Sequence, residues 1–203
     1  MIKSYKKTDM KNIAIILAGG SGSRFNNSTP KQFLYLNDKR IIDYSISTFN
    51  NHSDIDDIII VCHNKWKQTM KSEYPYIIIS GGKTRQESSF LGLKACPQDT
   101  SNVLIHDAAR PFISNEVISN AINCLKKYEA INISTRVLDT TVVVKNNIVD
   151  SIPNRKNIFL SKTPQAFRYS TILNAHKSAN DKNSTDDIQL VKNVGIDCYN
   201  MPS

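Results

Sequence analysis

Ile13-Ala14-Ile15-Ile16-Leu17-Ala18-Gly19-Gly20-Ser21-Gly22-Ser23-Arg24-Phe25 passes from an unbroken apolar run into a glycine-rich loop. The run Ile13 to Leu17 has the continuous apolar character of a strand buried on both faces, as in parallel sheets covered by helices. Ile58-Ile59-Ile60-Val61, Ile77-Ile78-Ile79 and Val103-Leu104-Ile105 repeat that signature downstream. Amphipathic stretches alternate with them: Ile41 to Phe49, Lys65 to Glu73, Gln86 to Ala95 and Glu116 to Tyr128. In the last, Val117, Ala121, Leu125 and Tyr128 mark one face at helical spacing. The alternation predicts an α/β domain, a mainly parallel sheet with helices on both sides. With no internal repeat and no low-complexity linker, residues 1–203 read as a single domain.

The stretch from Asp139 to Leu160 breaks the rhythm. Thr140 to Val144, then Lys145-Asn146-Asn147, then Ile148 to Ile152 predicts a β-hairpin, with Asn146 and Asn147 suited to the positive φ angles of a tight turn. Inserted in an α/β domain, this arm at about 139–160 projects from the sheet, as a dimer contact or as a surface flap.

Composition bounds the partners. The chain has 203 residues, 40% of them hydrophobic, which suffices for a core with both sheet faces covered. No apolar run approaches the roughly 20 residues of a membrane span. The opening Met1-Ile2-Lys3-Ser4-Tyr5-Lys6-Lys7 lacks the apolar stretch of a signal peptide, so a cytoplasmic protein is expected. The four cysteines are scattered without CxxC or metal-ligand spacing. A net charge of +8 suits an anionic partner. The basic residues are spread along the chain, which predicts a solvated surface or a phosphorylated small molecule, with no nucleic acid and no membrane as partner.

Small residues after the first strand let successive backbone N–H groups approach phosphate oxygens. In such sheets ligands bind at the carboxyl ends of the strands. Arg24 and Lys31 then add positive charge over a triphosphate. The loop is not a P-loop, since no Gly-Lys pair precedes a hydroxyl residue. Nor is it a dinucleotide fingerprint: Gly20 and Gly22 begin one, but Phe25 stands where the third glycine is needed.

LAGGSGSRF followed by TPKQF resembles the signature of sugar-nucleotide-type nucleotidyltransferases in its cytidylyltransferase form. More specifically it is similar to the 2-C-methyl-D-erythritol 4-phosphate cytidylyltransferases and the related ribitol-5-phosphate cytidylyltransferases. The resemblance runs from about Ile13 to the C-terminus and implies a Rossmann-like three-layer nucleotidyltransferase fold with a protruding β-arm. It implies CTP binding by Ala18, Gly19, Gly20 and Gly22 in the first loop, and by Gly81, Gly82, Arg85 and Ser88 in Ser80-Gly81-Gly82-Lys83-Thr84-Arg85-Gln86-Glu87-Ser88. Thr84 is by itself a good helix N-cap there. In Ile105-His106-Asp107-Ala108-Ala109-Arg110-Pro111, Asp107 corresponds to an aspartate that helps hold Mg²⁺ on CTP, and Arg110 to an arginine that binds the polyol phosphate. Alternatively, Asp107 and Arg110 merely pair with each other. His106 reads as a packed histidine.

Thr140, Arg155 and Thr163 match the family positions around the acceptor phosphate, as does Thr185 in Ser184-Thr185-Asp186-Asp187, where Thr185 is also well placed as an N-cap. In the family the arm of one subunit reaches the other's active site, which implies a homodimer. The implied reaction is in-line attack of the acceptor phosphate on the α-phosphorus of CTP, with pyrophosphate leaving, Lys31 on the α-phosphate and Arg24 on the triphosphate.

The family's last lysine-bearing segment has no counterpart before Ser203, so an inactive or C-terminally shortened homologue that binds CTP is one alternative. Methylerythritol 4-phosphate and ribitol 5-phosphate stand level as acceptor. A nucleotide-dependent oxidoreductase and a noncatalytic basic binding module are more distant readings.

Overall fold

A computed structural model describes residues 10–20, 29–180 and 184–203. Strand β1 (Lys11–Ala18) is central, hydrogen-bonded in parallel to β4 (Asp57–Cys62) on one side and to β6 (Thr100–Asp107) on the other. β4 in turn pairs in parallel with β5 (Ile77–Ser80). Beyond β6 the direction alternates: β11 (Gln165–Arg168) lies antiparallel between β6 and β7 (Ala130–Arg136). β10 (Phe159–Ser161) also runs antiparallel to β7, and β12 (Tyr199–Pro202) joins it in parallel. The result is an eight-stranded, mainly parallel sheet, as the alternation predicts.

The side chains of β1 sort by the strand's twofold period. Ala14, Ile16 and Ala18 pack with helices α1 (Ile41–Asn50), α2 (Asn64–Glu73) and α4 (Asn115–Cys124). Ile13, Ile15 and Leu17 pack on the other face with α3 (Arg85–Lys94), α5 (Tyr169–Ser178) and α6 (Asp187–Asn193). Gly92 of α3 is required here, because a Cβ would sit 2.6 Å from Ile15 Cγ2. The helix expected to reach Tyr128 closes at Cys124; Lys127 and Tyr128 both donate to the Cys124 carbonyl in a turn.

Outside this sheet, β2 (Tyr35–Leu36) and β3 (Lys39–Arg40) form a small ribbon ahead of α1. β8 (Val143–Lys145) and β9 (Ile148–Ser151) form a separate hairpin. Its turn residues Asn146 and Asn147 have φ of 49° and 62°, the paired positive angles of a type I′ turn. The hairpin is shorter than Thr140 to Ile152, since Thr140 to Val142 are not paired in it. Among the described residues no helix is long and apolar enough to cross a membrane.

Candidate active site

The chain order places a switch at β1: β4 and β5 are laid down to one side of it, β6 to the other. A cleft of about 950 Å³ opens where these strands end, as expected at such a switch point. Gly19 and Gly20 line it after β1, His63 and Asn64 after β4, Gly81 to Arg85 after β5, and Asp107 and Ala109 after β6.

The turn after β5 is built on its own hydrogen bonds. Gly81 N–H donates to the Cys62 carbonyl (2.8 Å), Gly82 N–H to Ser88 Oγ (3.1 Å), and Lys83 N–H to the Glu87 carboxylate (2.7 Å). Thr84 caps α3 as expected, its Oγ1 accepting from Glu87 N–H at 3.1 Å. A Cβ at Gly81 would lie 2.9 Å from Ser88 Oγ, so the hydroxyl can approach only a glycine. With these N–H groups engaged internally, the turn is held as a closed unit at the edge of the cleft.

Asp107 ends β6 with its side chain partly exposed. One carboxylate oxygen meets Arg85 Nε at 3.2 Å and the other Arg110 Nε at 3.3 Å. The pairing of Asp107 with Arg110 is therefore present, alongside a second partner that sequence did not suggest. Arg85 continues to Asp187, with Nη1 to Oδ2 at 2.6 Å. Asp187 is 1% exposed and also accepts from Ser89 Oγ (2.7 Å), while His176 Nε2 lies at 3.0 Å. Burial works to raise its pKa, but the His176 hydrogen bond and the Arg85 charge prevail and hold it down at about 2. Its neighbour Asp186 turns the other way. It accepts from Gln165 Nε2 at 2.8 and 2.7 Å and from Ser161 Oγ at 3.2 Å, and caps α6 through Ile188 N–H at 2.7 Å. The cap is thus Asp186, one residue later than Thr185, with its carboxylate accepting from the first-turn Ile188 N–H.

His106 is fully buried beneath Asp107, and burial pushes its pKa down to about 4 against the pull of its bond to the Arg110 carbonyl. Thr163 Oγ1 accepts from Asp107 N–H (3.2 Å) and donates to His106 Nδ1 (3.1 Å); Nε2–H then donates to Arg110 O (3.0 Å). Thr163 is thereby tied to the carboxyl end of β6, which the reversed strand β11 makes possible.

Of the residues expected in the site, the structure gathers Gly19, Gly20, Gly81, Gly82, Arg85, Ser88 and Asp107 in one cleft. Ala18 closes β1 at its edge, and Arg110 and Thr163 attach to Asp107. Lys31 is exposed on a single 3-10 turn, Lys31–Phe33. Thr185 is exposed beside Asp186. Thr140 and Arg155 do not line this cleft: both are exposed at the base of the hairpin, where Arg155 Nη1 donates to Leu138 O at 3.2 Å. Gly22 and Arg24 lie outside the described residues. Sequence reasoning missed Gln32, His63, Asn64, Lys83 and Asp187. The strand-end rule applied after Cys62 would have found His63 and Asn64; Asp187 carries no signal that separates it from Asp186.

Residues 12–200 match the family model described as 2-C-methyl-D-erythritol 4-phosphate cytidylyltransferase. The protein of that name from Clostridium botulinum (strain Langeland / NCTC 10281 / Type F) is 39% identical, over 93% of this chain and 87% of the relative. The one from Clostridioides difficile (strain 630) is 37% identical, over 89% and 80%. Among solved structures, 4-diphosphocytidyl-2C-methyl-D-erythritol synthase from Anaerococcus prevotii DSM 20548 superposes with a TM-score of 0.83 at 29% identity, covering 96% of this chain and 87% of that one. The Francisella tularensis 2-C-methyl-D-erythritol 4-phosphate cytidylyltransferase gives 0.80 at 27%, covering 95% and 90%.

Proposed function

The chain belongs to the 2-C-methyl-D-erythritol 4-phosphate cytidylyltransferase family, and from that premise we propose that it transfers CMP from CTP to 2-C-methyl-D-erythritol 4-phosphate, releasing pyrophosphate. The observation that carries the reading is the meeting, in one cleft, of a glycine turn braced by Ser88 (Gly81–Gly82), a glycine loop (Gly19–Gly20) and the Asp107 carboxylate at the end of β6. The names of the relatives favour this acceptor over ribitol 5-phosphate.

The acceptor phosphate is already an anion and needs no side-chain nucleophile. The residues of this chain therefore serve alignment and charge neutralisation. The turn at Gly81 and Gly82, braced by Ser88, receives the base. Lys31 is assigned to the α-phosphate and Arg24 to the triphosphate, while Arg110, Thr163 and Thr185 hold the acceptor. Among the described residues no group of three or more acidic, His or Cys side chains stands ready to cage a metal. Of the two carboxylates lining the cleft, Glu87 accepts from Lys83 N–H, and Asp107 suits Mg²⁺, which commonly takes one or two protein carboxylates and completes its shell with phosphate and water. Asp107 is that oxygen donor, and the ion, when bound, neutralises charge on the transferring phosphoryl group.

The hairpin is assigned to a homodimer contact. Val144, Ile148, Val149 and Ile152 are 51 to 72% exposed, apolar side chains on both faces of the ribbon that a lone protomer leaves in water. Thr140 and Arg155, which stand away from the cleft of their own chain, are then available to a second one.

The test is pyrophosphate release with CTP and Mg²⁺ in the presence of methylerythritol 4-phosphate, ribitol 5-phosphate or no acceptor. Release with the first alone is expected. Release only with ribitol 5-phosphate overturns the acceptor assignment, and failure to bind CTP overturns the whole reading.

A further inference from the structure

Gln32 is 5% exposed and follows Lys31 on its 3-10 turn. Its amide nitrogen donates to the carbonyl of Ala18 and to that of Gly20, both at 2.8 Å, so both N–H bonds of one side chain hold the same loop. The turn itself is fixed from behind. Phe33 is 3% exposed, its ring stacked on Trp66 with centroids 4.1 Å apart, and Phe33 N–H donates to the Pro30 carbonyl.

We propose that Gln32 is a positioning residue of the nucleotide site, stapling the Ala18–Gly20 loop to the turn that carries Lys31. The proposal rests on the reading that this loop receives the phosphates of CTP. Each peptide is planar, and the bond between Ala18 and Gly19 is trans. Drawing the Ala18 carbonyl toward Gln32 therefore aims the Gly19 N–H in the opposite direction. The same bonds engage two carbonyl oxygens whose negative ends would otherwise repel a triphosphate. Gly20 and Gln32 lie 12 positions apart in sequence, yet one neutral amide fixes the mutual position of the loop and Lys31. Glutamine is needed for its two donors: glutamate of the same shape has none, and methionine of similar length leaves both carbonyls unpaired.

The test compares wild type with Gln32→Glu and Gln32→Met, measuring CTP affinity by calorimetry, melting temperature, amide exchange at Gly19 and Gly20 without nucleotide, and KM for each substrate. In both variants the Gly19 and Gly20 amides should exchange faster and CTP should bind about tenfold more weakly or worse, since leaving the buried Ala18 carbonyl unpaired carries a penalty of that order. KM for CTP should rise while that for the acceptor holds. Variants that melt lower yet bind CTP as wild type does, with unchanged amide exchange, overturn the proposal and leave Gln32 a structural residue. If Gln32→Glu fails to fold, Gln32→Met decides. Wild-type protein that binds no CTP overturns the cytidylyltransferase reading and this role with it; a wild type that binds beside variants that bind equally overturns the role of Gln32 alone.

Discussion

Arg85 divides its guanidinium between two acids: Nη1 lies 2.6 Å from Oδ2 of the buried Asp187, while Nε lies 3.2 Å from Oδ1 of Asp107 at the cleft. An interior carboxylate on α6 thus fixes the orientation of an arginine on α3, which in turn holds a carboxylate at the end of β6. Substituting Asp187→Asn leaves the arginine unmatched on its buried side. Breaking such a pair should cost roughly 3 kcal/mol, read as a lower urea midpoint at unchanged slope. Pyrophosphate release should fall as well, because Arg85 is no longer restrained beside Asp107. Full turnover in a destabilised variant would refute that second link.

Two buried groups with displaced pKa values, His106 and Asp187, weaken the fold in acid. His106 takes up a proton only at about pH 4 in the folded protein, against about 6.5 when unfolded. Between these values the unfolded chain binds more protons, so stability should fall as pH drops, by about 3 kcal/mol across the window. Asp187 acts lower. Its folded value of about 2 lies below its unfolded one, so the stability it confers above about pH 4 should disappear as pH falls toward 2. Melting temperature against pH should begin to decline below about 6.5, and His106→Gln should flatten that upper segment while leaving the lower one.

Lys31 is exposed on its turn, so its removal should not disturb the core. Lys31→Ala should lower the turnover rate ~10²–10³-fold with little change in melting temperature. Turnover within a few-fold of wild type would remove Lys31 from the α-phosphate.

Ile148 of the hairpin is 72% exposed in the protomer, so Ile148→Asp should leave the melting of a monomer unchanged. In a dimer closed through the arm it buries a charge, and sedimentation equilibrium should show dissociation. An unaltered dimer would place the contact elsewhere.

The sequence is most legible where one requirement dominates. β1, β4, β5 and β6 lie on both faces under helices and read as apolar runs; the Asn146-Asn147 turn reads because few residues other than glycine and asparagine tolerate two positive φ angles. The later strands are less legible. β11 has only Gln165–Arg168 in which to show a period, and β12 ends in Pro202, which reads as a break and is accommodated at the sheet edge. The cleft was legible in its glycine turns and at Asp107 because they follow buried strands, where ligands bind in such sheets, and match the family motifs. Gln32 and Asp187 were not, because a polar side chain becomes a structural fastener only through partners distant in sequence: Gly20 for Gln32, and Arg85 for Asp187.

Asp186 and Asp187 are chemically the same residue, and their order alone decides what each one meets: Gln165 and Ser161 on one side, Arg85 and Ser89 on the other. A single-residue insertion or deletion between Ser184 and α6 would rotate both carboxylates out of place while leaving composition and net polarity almost unaltered. The length of this segment is therefore as constrained as its chemistry. Libraries that vary the acceptor side should hold the spacing fixed and change side chains only.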